Sequence, residues 1–88
     1  MLARLSFAVN RLPSHLSQIL LDTPETADDL HVVDLRLASG RLVKDVAIAH
    51  CCVIACVRAK PFVWFDGSDV ISLEVTHRRW GAYHMTSS

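Results

Sequence analysis

The stretch HVVDLRLASGRLVKDVAIA, His31 to Ala49, decides the fold of this 88-residue chain. Val33, Leu35 and Leu37 alternate with Asp34, Arg36 and Ala38, the two-residue period of a strand with one face toward a core. Ser39-Gly40 supplies a tight-turn dipeptide, after which Leu42, Lys44, Val46 and Ile48 resume the alternation. Two alternating runs joined by such a turn predict a β-hairpin.

The chain on either side follows the same logic. Downstream, Cys51–Arg58 reads as a third strand and KPFVWF, Lys60–Phe65, as a fourth that begins through Pro61. The turn DGSD, Asp66–Asp69, leads into VISLEVTH, where Ile71, Leu73 and Val75 face one way and Ser72, Glu74 and Thr76 the other. Upstream, Leu5, Val9, Leu12, Leu16, Ile19 and Leu20 recur at helical spacing. Pro13 interrupts that spacing and suits a first helical turn, so a helix is predicted over 13–21, with residues 3–9 open between helix and strand. In DTPE, Thr23 is placed to cap a further short turn at Pro24. The expectation is one α+β domain over 1–88: the helix, a bent five-stranded antiparallel sheet or small β-barrel over 31–77, and a tail over 78–88.

This order of elements resembles the Sm-like small β-barrel, on VDLRLASGRLVKDVAIAH and DVISLEV, over about residues 13–76. The resemblance implies a ring that pairs strands of neighbouring copies and binds single-stranded RNA through loop residues. The family's usual second-strand glycine position holds Val46 here, and AHCCVIAC has no acidic residue followed by asparagine.

Composition narrows the function classes. Apolar residues make up 51% of the chain and charged residues 20%, more apolar surface than so small a globule easily hides, and an oligomer interface is the simplest outlet. The zero formal charge lacks the overall basic balance of a dedicated nucleic-acid binder. Locally, acidic Asp22, Glu25, Asp28, Asp29 and Asp34 precede basic Arg36, Arg41, Lys44, Arg58 and Lys60. That pattern suits a mixed solvated surface or head-to-tail complementarity between subunits. The run Leu5–Val9 is too short and interrupted for a secretory signal, and no stretch has the ~18 apolar residues of a membrane span, so a cytoplasmic protein without membrane contact is expected.

Chemistry concentrates in HCCVIAC, His50 to Cys56, which holds all three cysteines. On a strand, His50, Cys52, Ile54 and Cys56 share one face, and Cys52 and Cys56 lie ~13 Å apart, too far to ligate one zinc. Only His50 and Cys52 remain as a ligand pair, with His77 as a further ligand. The leading expectation for the thiols is small apolar packing in the core, with a metal or reactive-thiol role as the alternative, and no disulfide framework is expected. In THRRWGAYHM, Arg78 and Arg79 join Trp80, a mixture that binds single strands by phosphate contact and stacking or packs at a protein interface. Arg36, Arg41 and Lys44 would extend the nucleic-acid surface. Phe62, Trp64 and Phe65, with Trp80, are the interface candidates, because FVWF is apolar on both faces of a strand.

The histidines at 15, 31, 50, 77 and 84 accompany no nucleophile elbow, zinc-protease helix or phosphate-cradling loop, so no catalytic residue, cofactor or small-molecule substrate is assigned. Asp66 and Asp69 have the chemistry of an acid–base pair and the spacing of a turn. The leading expectation is a non-enzymatic interaction or assembly module that homo-oligomerises through apolar strand surfaces. A single-stranded nucleic-acid binder is the alternative, and a metal or thiol protein centred on His50 and Cys52 the third reading.

Overall fold

The computed structural model describes residues 10–79. The expected hairpin forms from β1, Leu30–Leu37, and β2, Leu42–Ala49, paired antiparallel. Its turn is a three-residue loop: Gly40 N–H donates to the Leu37 carbonyl, Leu37 N–H to the Arg41 carbonyl, and Gly40 sits at φ +94°. Only glycine takes that backbone without cost, which is why it closes the turn.

The hairpin is not in simple register. Val33 stands opposite Val46 and Leu35 opposite Val43, so Asp34 alone faces both Lys44 and Asp45. This bulge reverses the expected faces of β2 up to Lys44: Val43 is buried in the core, whereas Leu42 and Lys44 are exposed. Asp45 takes up the extra residue at φ 57°, and its N–H donates to Asp34 Oδ1 at 3.1 Å.

β3, Val53–Val57, pairs with β2, and β4, Val70–Val75, with β1, giving the order β3-β2-β1-β4. The sheet therefore has four strands and is open, where five strands or a barrel were expected. Two differences explain this. Residues Lys60–Phe65 form a loop rather than a strand: Ala59 turns the chain at φ 64° and Pro61 has no N–H to give a ladder. The vacant edge of β3 is taken instead by Asn10–Leu12, with Leu12 N–H donating to the Cys52 carbonyl and Ile54 N–H to the Asn10 carbonyl. The third strand is also shorter than expected, because His50 and Cys51 belong to the β2–β3 turn. Bulges at Ala55 and Ile71 bend the remaining ladders. Ile71 is thereby turned to solvent and Val70 is buried in its place, contrary to the simple alternation.

Helix α1, Ser14–Leu21, starts behind Pro13 and ends where Thr23 Oγ1 donates to the Ile19 carbonyl. Two turns of helix are marginal alone, and the fold holds them by burial: Leu12, Leu16 and Leu20 join Val33, Leu35, Val43, Val46, Ile48, Ile54, Val57, Phe65 and Val70 in one core. The opposite sheet face buries Val32 and Ala47, so β1 is covered on both sides from His31 to Leu35. His31 is fully buried with Nε2 donating to the Thr23 carbonyl at 2.8 Å, and its Nδ1 has no partner among the described residues.

Gly67 is fixed by space rather than φ: a Cβ there would stand 1.8 Å from the Arg11 carbonyl oxygen. Gly67→Ala is expected to destabilise the protein by about 3 kcal/mol, since backbone must move to admit the methyl. Gly40→Ala, which meets nothing within 4 Å, should cost about 1 kcal/mol, from its left-handed φ alone. Urea denaturation midpoints of the two variants check the order.

Candidate functional site

The loop from Lys60 to Phe65, followed by the turn into β4, carries the most exposed aromatic surface among the described residues. Phe62 is 67% exposed and Trp64 40%, whereas Phe65 is turned into the core. Trp64 and Phe65 meet edge to face at 5.4 Å between ring centroids, and the Lys60 ammonium lies 5.7 Å from the Trp64 ring centre. A buried edge partner and a cation over the ring hold Trp64 in place without hiding it.

Beside the loop runs an open cleft of about 820 Å³, walled by Arg11, Leu12 and Pro13 on one side and Val63, Trp64 and Asp66 on the other. Asn10 ties the walls together. Its Nδ2 donates to the Phe65 carbonyl at 2.8 Å and its Oδ1 accepts from Gly67 N–H at 2.6 Å. No sequence pattern marked Asn10, because its partners lie more than fifty residues away.

At the far end of this segment Asp66 caps a short 3₁₀ turn, Gly67–Asp69. Its Oδ1 accepts from Ser68 N–H and Ser68 Oγ, both at 3.0 Å. Those bonds hold the Asp66 carboxyl below its ordinary value, the backbone donor contributing most. Asp66 and Ser68 thus form a cap; the described lining of the cleft includes no histidine or thiol to activate the Ser68 hydroxyl.

The basic residues singled out in the sequence do not gather into one open face. Arg78 Nη1 donates to Asp45 Oδ1 at 2.6 Å and lies 3.5 Å from Asp34 Oδ1, and Asp45 also draws Arg58 to 3.4 Å. Hydrogen bonding and attraction from Asp45, with Asp34 and Glu74 adding to them, push the Arg78 guanidinium further up. Arg79 donates to the Thr26 carbonyl and Arg36 to the Gly40 carbonyl. Arg41 and Lys44 are exposed, and Trp80 lies outside the described residues. Three of the five described candidates for phosphate contact are thus engaged within the chain.

The HCC turn is also assembled differently from the expected strand. His50 and Cys51 both have positive φ, 54° and 63°, as a tight two-residue turn requires, and Cys52 N–H closes it onto the Ala49 carbonyl. His50 Nδ1 pairs with the Asp29 carboxylate, and Ser17 Oγ donates to the Cys51 carbonyl at 2.6 Å. Burial pushes the Cys51 thiol up, and Glu25, Asp29 and Cys52 push the same way; burial alone raises Cys56. A raised thiol keeps its proton at neutral pH and is a poor nucleophile or ligand. His77, the further ligand considered, is hydrogen-bonded through Nδ1 to Thr26 Oγ1 at 2.6 Å. Among the described residues no group of three histidine, cysteine, aspartate or glutamate side chains is placed to hold a metal ion. None of the described helices is long and apolar enough to cross a membrane.

The Asp66 cap makes a pH prediction. A carboxyl held below its unfolded value stabilises the fold above the ordinary carboxylate range, and that contribution is lost as pH falls through and below it. Asp66→Asn should therefore lower the melting temperature at pH 7 and match the parent protein near the acid end of the folded range. Calorimetric melts across that range test this, and an equal gap at every pH would contradict the assignment.

Comparison with protein-family models, with curated proteins and with solved structures finds no match to this chain.

Proposed function

We propose that this protein is a non-enzymatic interaction and assembly module that self-associates through exposed apolar surface. The observation that carries the reading is the Lys60–Phe65 loop, where Phe62 and Trp64 stand exposed beside an open cleft. Large aromatic side chains on a short, pinned loop contribute contact area at small entropic cost, and they are enriched where interfaces concentrate their energy. Ile19, Leu21, Leu42 and Ile71, each more than 40% exposed, add to the apolar surface. The coarser family likeness that remains is a small antiparallel sheet compatible with a β-barrel-like fold; an Sm-like ring is one form such an assembly would take.

Sedimentation velocity over a concentration series tests the proposal. The parent protein should sediment faster than a monomer in the micromolar range, and Phe62→Ser with Trp64→Ser should shift it toward monomer with an unchanged far-ultraviolet spectrum. A parent protein that stays monomeric into the high micromolar range contradicts the reading.

A further inference from the structure

The two edges of the sheet are finished differently. Asn10–Leu12 covers the edge of β3, whereas β4, among the described residues, pairs only with β1. An edge strand is normally blunted by lysine, proline, inward charge or a bulge. Val70–Val75 contains neither lysine nor proline, Glu74 is its only charge, and its bulge at Ile71 leaves Ser72–Val75 as the regular stretch of that edge.

From this edge we infer that two copies of the chain join through β4, antiparallel, about a two-fold axis at Leu73. The inference rests on the assembly reading and names its partner, a second copy, and its register. Thr76 N–H donates to the Val32 carbonyl, and Asp34 stands opposite Glu74 and Arg36 opposite Ser72. Hydrogen-bonded positions alternate along an antiparallel ladder, so Ser72 and Glu74 turn their backbone groups to β1 while Leu73 and Val75 turn theirs outward.

Register is restricted further by the faces. Directly opposite residues in an antiparallel pair share a face, so the two-fold must fall on a residue rather than between two. An axis at Glu74 sets two carboxylates against each other, and an axis at Ser72 sets Glu74 against Val70. The axis at Leu73 puts Leu73 against Leu73 of the second copy and, twice, the Ser72 hydroxyl against Glu74, within the stretch beyond the Ile71 bulge. Leu73 and Val75 are only half-buried where their own sheet stops. A second β4 continues the core across that boundary.

A charge swap on the full chain, read by sedimentation velocity, tests this register. Ser72→Glu improves the intrachain contact, since position 72 faces Arg36, but sets its new carboxylate against Glu74 of the second copy. The dimer dissociation constant should rise about tenfold, two like-charge cross-strand pairs having been introduced. Adding Glu74→Lys should restore or tighten the dimer. The carboxylate introduced at position 72 then meets the ammonium introduced at position 74 across the axis, and within the chain that ammonium faces Asp34. Melting curves confirm that both variants fold. Loss without rescue overturns the Leu73 register, as an axis at position 72 would set the introduced carboxylate against its own copy. No change in either variant, with self-association still abolished by Phe62→Ser and Trp64→Ser, overturns the β4 pairing and leaves the assembly reading standing. A parent protein that never leaves the monomer overturns both.

Discussion

The rest of the sheet depends on one hydrogen bond, from the Asp45 amide to the Asp34 carboxylate across the β1–β2 bulge. Aspartate is among the few side chains that tolerate a left-handed backbone, and Asp34 compensates the amide that the extra residue leaves out of the ladder. Moving the bulge by one position would send Lys44 into the core and Val43 to water, reversing one face of β2. The bulge also brings two largely buried carboxylates together, which costs free energy unless cations and donors answer them. Arg78 and Arg58 answer them, and the first of these draws the chain after β4 back across the face of the sheet opposite the helix. The register of the hairpin thereby fixes where the C-terminal part of the described chain runs.

Asn10 has the complementary role at the other edge. Its backbone completes the β3 ladder and its side chain bonds the loop that feeds β4, so the two ends of the open sheet are held near each other without a closed ring of strands. Gly67 is required because Arg11 passes where a side chain would be. The exposure of Phe62 and Trp64 follows from the same arrangement. With the β3 edge already taken, the apolar run that looked like a strand has no ladder to join, and only Val63 and Phe65 turn toward the core. The aromatic surface is thus a consequence of edge covering.

Local pattern made the helix and the hairpin legible. The spacing of Leu12, Leu16 and Leu20 and the alternation from Val33 to Leu37 are confirmed face by face, because each is set by neighbours within a turn or a strand. Bulges defeated the alternation at Leu42, Lys44 and Ile71, since a bulge adds a residue without altering composition. Phe62–Phe65 misled for a different reason: hydrophobicity reports burial demand, and a strand also needs a free edge. Arg78 and Arg79 read as a basic, aromatic-flanked tail, yet their acceptors at Asp45, Asp34 and Thr26 lie 33 or more residues away and carry no local signal. Of the proposed interface residues, Phe62 and Trp64 are exposed as an interface requires, and Phe65 belongs to the core.

The cysteine-rich turn shows how a suggestive motif becomes structural. His50 and Cys51 both occupy the left-handed region, a cost of about 1–2 kcal/mol each for residues with a Cβ. The turn nevertheless forms because three parts of the chain meet it. The Asp29 carbonyl accepts from His50 N–H, the Cys51 carbonyl accepts from Ser17 on the helix, and the Cys52 carbonyl accepts from Leu12 on the covering segment. Asp29, itself left-handed at φ 61°, adds its carboxylate to His50. Burial of Cys51 in the turn, then Glu25 and that same carboxylate, disfavour a thiolate there, so the setting of the strained turn also suppresses the reactivity its sequence suggests. Strain at this turn therefore joins the helix, the acidic loop and the sheet edge.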